Sequence, residues 1–212
     1  GLPTGSMIYV GDKINRDILG AKRSGFRLAV KIQHPYDDGD ADLGATPDAV
    51  INDMRELVPI LQNLMRQDGE VHTQASKCKI KGVFFDAGNI LYQKPRKGVH
   101  MKRFLARHKL RAVADVRQGK RKLKDQAFHG VIDRHAFYEG VVRLYGVSDP
   151  GILAEGVNAM LLDATTVEIV EGVPETLRAL KEKGFILGII SDTATPIQVK
   201  LGWFEQAGFG DV

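Results

Sequence analysis

The residues of this chain best suited to chemistry each follow an apolar run with the composition of a buried strand. Asp12 follows MIYV, Asp86 follows GVFF and Ser191 follows FILGII. Functional side chains of parallel α/β sheets gather beyond the carboxyl ends of the strands, so neighbouring strands would place these three residues in one crevice. Two carboxylates and a hydroxyl suit phosphoryl transfer, in which one carboxylate attacks phosphorus and the hydroxyl holds a phosphoryl oxygen. A magnesium ion would screen the carboxylates from the phosphate.

The patterns around these residues alternate between strand and helix. Short apolar runs predict four strands: Met7–Val10, Leu28–Ile32, Gly82–Phe85 and Phe185–Ile190. Apolar residues at helical spacing predict helices over Asp17–Ser24, Asp53–Met65, 174–184 and Gln198–Ala207. From Tyr92 to about Val170 the pattern is helical throughout. We therefore predict an α/β protein with a Rossmann-like parallel sheet, helices on both faces and an all-helical insertion.

Three segments resemble motifs of one known protein family. VFFDAGNIL (83–91) resembles the first motif of the haloacid dehalogenase (HAD) superfamily, and LGIISD (187–192) resembles the second. YVGD (9–12), followed by Asp17, resembles the fourth motif, G-D-x(4)-D. The helical segment between the first and second motifs matches the position of the cap in C1-capped members of that superfamily. The resemblance covers nearly the whole chain.

This resemblance implies hydrolysis of a small phosphorylated substrate through an aspartyl-phosphate intermediate, with Mg²⁺ as cofactor. Asp86 would be the nucleophile and Ser191 would bind the phosphate. The Asp86 and Asp12 carboxylates and the Gly88 carbonyl would ligate Mg²⁺, supported by Asp17. The predicted substrate-binding residues lie within these motifs or just after the first one. They are Gly88, Asn89, Ser191, Asp192, Lys94 and Arg96.

Two features depart from the pattern of the superfamily. Gly88 occupies the position of a second Asp, which in related phosphatases protonates the leaving group and then activates water. Asp192 and His100 are the candidates to replace that carboxylate. The motif order is fourth, first, second, and no residue upstream of Asp12 can supply the lysine of the third motif.

The unusual order has two explanations, which the sequence leaves open. The chain is either part of a tandem protein or a permuted domain. In both, residues 1–66 form the half of the core with the fourth motif, 67–78 a linker, 79–92 and 171–212 the other half, and 93–170 a helical cap. Both also predict one sheet with four strands side by side, in the order Leu28–Ile32, Met7–Val10, Gly82–Phe85 and Phe185–Ile190.

Simpler interpretations exist for each residue. Asp86 could be a turn residue, Asp17 a helix cap and Ser191 an ordinary polar strand end. Three functional alternatives also remain: a weak or inactive relative that binds anions, a metal-independent dehalogenase using the same nucleophile, and a nucleic-acid-binding cap. The last rests on residues 94–124, which hold thirteen Lys and Arg and one acid, Asp115. No interleaved aromatic residues accompany these charges, so we do not expect a nucleic-acid partner.

Composition sets the remaining expectations. The 212 residues carry a net charge of +4, and 43% of them are hydrophobic, as in globular proteins. The single cysteine, Cys78, excludes a disulfide framework and favours a reducing compartment. We expect no membrane partner, because no apolar run approaches the roughly 18 residues of a spanning helix. With no signal-peptide pattern at the start, a cytoplasmic location is expected. The sequence makes no prediction of oligomeric state.

Overall fold

The computed structural model of the chain describes residues 1–34, 44–70, 79–94, 98–112, 115–191 and 197–210. These residues divide into two compact units. The first comprises Gly1–Gln93, Ile169–Ser191 and the segment from Ile197, and the second comprises Lys94–Glu168. The first unit is α/β and the second is helical.

The first unit is built on a five-stranded parallel sheet. Its strands are Met7–Gly11 (β1), Leu28–Ile32 (β2), Ala49–Ile51 (β3), Gly82–Phe85 (β4) and Ile186–Ile189 (β7), in the order β3-β2-β1-β4-β7. Tyr92–Gln93 (β5) and Glu168–Ile169 (β6) form a separate two-stranded sheet. All five residues of the central strand β1 are buried, which explains its continuous apolar run.

Four helices belong to this unit. They are Leu19–Arg23 (α1), Leu57–Glu70 (α2), Val173–Glu182 (α7) and Ile197–Gln206 (α8). A π-helical turn, Ile14–Ile18, runs directly into α1, and short 3₁₀ turns cover Thr4–Ser6 and Met54–Glu56. Pro174 lies in the first turn of α7, where its missing N–H costs no hydrogen bond, and the apolar face of that helix is buried.

The second unit contains four helices: Val99–Arg107 (α3), Val116–Phe128 (α4), Arg134–Arg143 (α5) and Pro150–Thr165 (α6). Three of them begin at aspartates, Asp115, Asp133 and Asp149, whose carboxylates accept backbone N–H groups of the first turn. Phe104 and Val142 lie in the centre of its buried apolar cluster. This core is separate from the one beneath the sheet.

The predicted α/β class, its Rossmann-like parallel sheet and the order of the four predicted strands are confirmed. Several boundaries were wrong. The predicted helix Asp17–Ser24 begins as the π-helical turn and becomes α-helical only at Leu19. The predicted linker 67–78 begins inside α2, which continues past Gly69 to Glu70, since one glycine costs a helix only about 1 kcal/mol. Residues 71–78, including Cys78, lie outside the described part.

At one edge of the sheet, β7 leaves apolar side chains in contact with solvent. Ile186 and Ile190 are 54% and 48% exposed. Leu201 on the last helix is also exposed, whereas Phe204 on the same helix is buried. Leu201 borders a cavity that Leu187 also lines.

Among the described residues, the helices are all too short or too polar to cross a membrane.

Candidate active site

Three buried carboxylates, those of Asp12, Asp17 and Asp86, meet at the carboxyl end of the central strands. One oxygen of each lies within 4.8 Å of one oxygen of the others. The side chains of Asp12 and Asp17 are 3% and 2% exposed, and that of Asp86 is 9% exposed. Such a concentration of negative charge away from water requires a compensating cation.

The parallel pairing of β1 and β4 brings two of these residues together. Val10 and Phe85 are register partners, and the Asp86 backbone N–H donates to the Val10 carbonyl at 2.9 Å. Both strands end at this point: Asp12 is the first residue after β1, and Asp86 is the first residue after β4. The strands therefore position two carboxylates that lie far apart in the sequence.

The π-helical turn positions the third carboxylate. Oδ2 of Asp17 accepts the backbone N–H groups of Asp12, at 3.0 Å, and Lys13, at 2.9 Å. It is therefore bonded to the loop before its helix, and the alternative interpretation of Asp17 as a helix cap is wrong. A Cβ added to Gly11 would overlap the Asp17 side chain, so this close approach requires glycine. The spacing of G-D-x(4)-D thus follows from a packing contact.

The guanidinium of Arg16 is the cation that neutralises this cluster. Its Nη2 lies 2.8 Å from Oδ2 of Asp86 and 3.7 Å from Oδ1 of Asp12, and its Nε lies 2.7 Å from Oδ1 of Asp17. The side chain is 53% exposed, so it reaches the cluster from the solvent side. Sequence reasoning missed Arg16, although its position four residues after Asp12 was a usable signal.

Burial is the main influence on the ionisation of the predicted nucleophile. Desolvation raises the pKa of Asp86 above its ordinary value of 3.8, and the negative charges of Asp17 and Asp12 raise it further. The Ala87 backbone N–H and Arg16 act in the opposite direction and favour the carboxylate. A cation beside Asp86 therefore favours its ionised form.

Asn89 and Gly88 lie in the loop directly after Asp86. The backbone of Asn89 is left-handed, with a φ of 63°, a conformation that Asn adopts more readily than most residues. Its side-chain Nδ2 donates to Oδ2 of Asp12 at 3.0 Å. Asn89, predicted to bind substrate, thus orients a carboxylate of the cluster.

Ser191, just beyond β7, has a partner that the sequence analysis did not identify. The ammonium of Lys200 donates to Oγ of Ser191 at 3.2 Å and lies 5.7 Å from the centre of the Tyr92 ring. Lys200 is only 2% exposed. The sequence signal was the spacing of Lys200, Trp203 and Phe204. Residues three and four apart share one face of a helix, so the lysine lies on the buried aromatic face of α8.

Two of the other predicted site residues, Asp192 and Arg96, lie outside the described residues. Lys94 and His100 belong to the helical unit, where the His100 backbone N–H donates to the carboxylate of Asp163 at 2.9 Å. The cluster is therefore formed by four residues of the first unit: Asp12, Asp17, Asp86 and Asn89.

These residues fit a magnesium ion. Mg²⁺ prefers hard oxygen ligands and is commonly held by one or two carboxylates. The carboxylate oxygens of Asp12 and Asp86 are ligands of this kind. Asp17 accepts two backbone N–H groups of the loop after β1, so it supports the position of that loop. The buried negative charge of three carboxylates beside one half-exposed arginine is an additional reason for a cation to bind.

Comparison with known proteins adds no relationship: no family model matches the chain, and no curated protein matches it.

Proposed function

We propose that this chain is a magnesium-dependent phosphohydrolase that hydrolyses small phosphomonoesters through an aspartyl-phosphate intermediate. The observation that carries the proposal is the position of two complementary groups at one end of one sheet. A buried carboxylate cluster follows β1 and β4, and a hydroxyl bonded to an ammonium follows β7. The first group suits a nucleophile with a metal, and the second suits a phosphate.

Asp86 is the nucleophile in this proposal. Asp86 directly follows β4, which pairs with both β1 and β7. It therefore lies between the other two carboxylates and the Ser191 side of the sheet. Its carboxylate oxygen attacks phosphorus, the bond from phosphorus to the ester oxygen breaks, and the alcohol leaves. Water then cleaves the acyl phosphate, which releases inorganic phosphate and restores the carboxylate.

Asp12 and Asp86 would hold the magnesium ion, and Asp17 and Asn89 would orient the Asp12 side of the site. When bound, the ion supplies positive charge that reduces repulsion between Asp86 and the phosphate. The predicted ligation by the Gly88 carbonyl remains part of the proposal. Ser191 and Lys200 hold phosphoryl oxygens by a hydroxyl donor and a charge-assisted ammonium donor.

The glycine at position 88 affects the choice of substrate. A carboxylic acid there would protonate the departing alcohol, a contribution of about 10²–10⁴-fold in typical enzymes. Without it, an ester whose leaving group is stable as an anion reacts most readily. Aryl phosphates and acyl phosphates are therefore the preferred class.

The test is release of phosphate from p-nitrophenyl phosphate, with Mg²⁺ and with EDTA, for the wild type, Asp86→Asn and Asp125→Asn. Asp125 is an exposed residue of α4 and controls for loss of one negative charge. We expect Mg²⁺-dependent turnover in the wild type and in Asp125→Asn, and none in Asp86→Asn. Turnover that survives Asp86→Asn would reject this nucleophile.

The same protein preparations separate the alternatives. Chloride release from a 2-chloro carboxylic acid in EDTA would identify a dehalogenase, because that reaction needs no metal. An absence of both activities, with Mg²⁺ binding intact in calorimetry, would identify a non-catalytic relative.

A further inference from the structure

The helical unit contains a cavity of about 530 Å³ lined by residues from all four of its helices. Much of its wall is aromatic or apolar, including Met101, Phe137, Tyr138 and Met160. Basic side chains occupy the rest: Lys94 from the preceding loop, Lys102 from α3, Lys120 from α4 and Arg134 from α5. The cavity therefore combines apolar walls with a concentration of positive charge.

The positive charges converge by folding, since three of them come from three different helices. Within the described residues, neither Lys102 nor Lys120 forms an ion pair. The basic stretch 94–124 supplies both lysines but also several residues that do not line the cavity. The cavity wall thus contains only some of the basic residues of that stretch, together with Arg134 from outside it.

Arg134 has an unused donor inside this wall. Its Nε donates to the Tyr138 hydroxyl at 2.8 Å, and its guanidinium carbon lies 5.3 Å from the centre of the Tyr138 ring. Its Nη2 is buried and has no hydrogen-bond partner in the described part of the chain. Buried donors without acceptors are rare because they lose their bonds to water without replacement. A turn of the guanidinium toward the cavity would let an anionic oxygen there supply the missing acceptor.

The one carboxylate in the wall forms no ion pair with these cations in the described part of the chain. Oδ1 of Asp163 accepts the His100 backbone N–H and Oδ2 accepts that of Met101, each at 2.9 Å. Both acceptor oxygens are thus used at the start of α3, where a negative charge is favoured by the helix dipole. The excess positive charge of Lys102, Lys120 and Arg134 remains available to a ligand.

From this arrangement we propose that the cavity is a binding site for an organic anion that joins a phosphate- or sulfonate-like group to a flat apolar body. The anionic group would accept from Nη2 of Arg134 and attract Lys102 and Lys120. The apolar body would contact Phe137 and Met160, since thioethers and aromatic rings pack well on other rings. This site is independent of the proposed phosphohydrolase activity.

The test is calorimetric titration of the full chain with naphthalene-1-sulfonate, which has no phosphate to hydrolyse. We expect saturable binding, with much weaker binding of sodium sulfate and of uncharged naphthalenemethanol. Arg134→Gln should weaken the binding about tenfold or more, as expected for loss of a charge-assisted hydrogen bond. Lys124→Gln is the matched control, because Lys124 lies over the Phe128 ring and is not part of the cavity wall.

Three outcomes would overturn the proposal. These are no saturable binding, equal weakening by Arg134→Gln and Lys124→Gln, and binding that Asp86→Asn alters while Arg134→Gln does not. Far-UV circular dichroism and thermal unfolding establish that each variant is folded. If Arg134→Gln does not fold, Lys102→Gln replaces it, with the same expected weakening and the same control.

Discussion

Nη2 of Arg16 lies 2.8 Å from Oδ2 of Asp86, so the predicted nucleophile is paired with a guanidinium. The same guanidinium contacts Asp17 and approaches Asp12. Arg16 therefore occupies the electrostatic position that a divalent cation would take. Its side chain is 53% exposed, so it can turn outward into solvent when another cation compensates the buried carboxylates.

Replacing Arg16 with glutamine should strengthen magnesium binding. A positive charge a few ångströms from the carboxylates competes with Mg²⁺ for them, and its removal leaves the cluster more negative. We expect the dissociation constant for Mg²⁺, measured by calorimetry at low ionic strength, to fall about tenfold, or about 1.4 kcal/mol. Arg23→Gln, an exposed change of the same charge in the last turn of α1, controls for overall charge. Equal gains in both variants, or weaker binding in Arg16→Gln, would contradict competition at the site.

Introducing the missing carboxylic acid should increase turnover of poor substrates. A Cβ at Gly88 meets no atom within 4 Å, so an aspartate can be accommodated there. We expect Gly88→Asp to raise kcat for alkyl phosphates about 10-fold to 10³-fold, and to change that for p-nitrophenyl phosphate little, since general acid catalysis matters most for poor leaving groups. Gly88→Asn has nearly the same shape without the acid and should show no gain. A similar gain in both variants would point to an effect of shape.

Removing the ammonium beside Ser191 should weaken phosphate binding. Met resembles Lys in length and preserves packing at a site that is 2% exposed. We expect the inhibition constant of inorganic phosphate to rise about tenfold or more in Lys200→Met, as for loss of a charge-assisted bond. Lys183→Met, an exposed change at the end of α7, is the control. Unchanged inhibition in a folded Lys200→Met would remove Lys200 from the site.

Asp86→Asn should make the metal-free protein more stable at neutral pH. Burial raises the folded-state pKa of Asp86, so ionisation of this residue favours the unfolded chain. The resulting loss of stability is absent well below pH 3.8 and complete above the raised pKa. We expect Tm in EDTA to rise by about 2–4 °C, equivalent to about 1 kcal/mol at this length. Arg16 keeps its bond to Asp17 in the variant.

The difference in Tm between Asp86→Asn and the wild type should shrink as the pH is lowered from neutral through 3.8 and disappear well below it, because both side chains are then neutral. Differential scanning calorimetry across this range checks the sign. Addition of Mg²⁺ should stabilise the wild type more than the variant, since only the wild type keeps both ligating carboxylates. A variant that is less stable than the wild type at neutral pH would show that the pairing of Asp86 with Arg16 outweighs the cost of burial.

Strands β1 and β4 could be predicted from sequence because each is an uninterrupted apolar run followed by an aspartate. Met7–Val10 and Gly82–Phe85 needed no tertiary information, since a strand covered on both faces has few polar positions. The meeting of Asp12 with Asp86 followed from the rule that parallel strands end at the same edge. The three carboxylates were therefore expected together before their distances were known.

Arg16 and Lys200 could not be predicted in the same way. Both are long, flexible side chains whose direction depends on neighbours brought near by folding. Lys200 could equally have faced solvent from α8, and only the packing of Trp203 and Tyr92, 5.0 Å apart, turns that helix face inward. The cavity of the helical unit was missed for a related reason. Its lining combines residues from four helices, and no local pattern connects Lys102 with Arg134.

The β7 edge of the sheet affects how the protein behaves in concentrated solution. Within the described residues β7 is an edge strand, so it presents unpaired backbone groups beside exposed Ile186 and Ile190. Two such edges can join into a larger sheet, which makes β7 the point where aggregation should start as protein concentration rises. Purified material should therefore precipitate less when a single lysine replaces Ile186, because charge on an edge strand opposes that pairing.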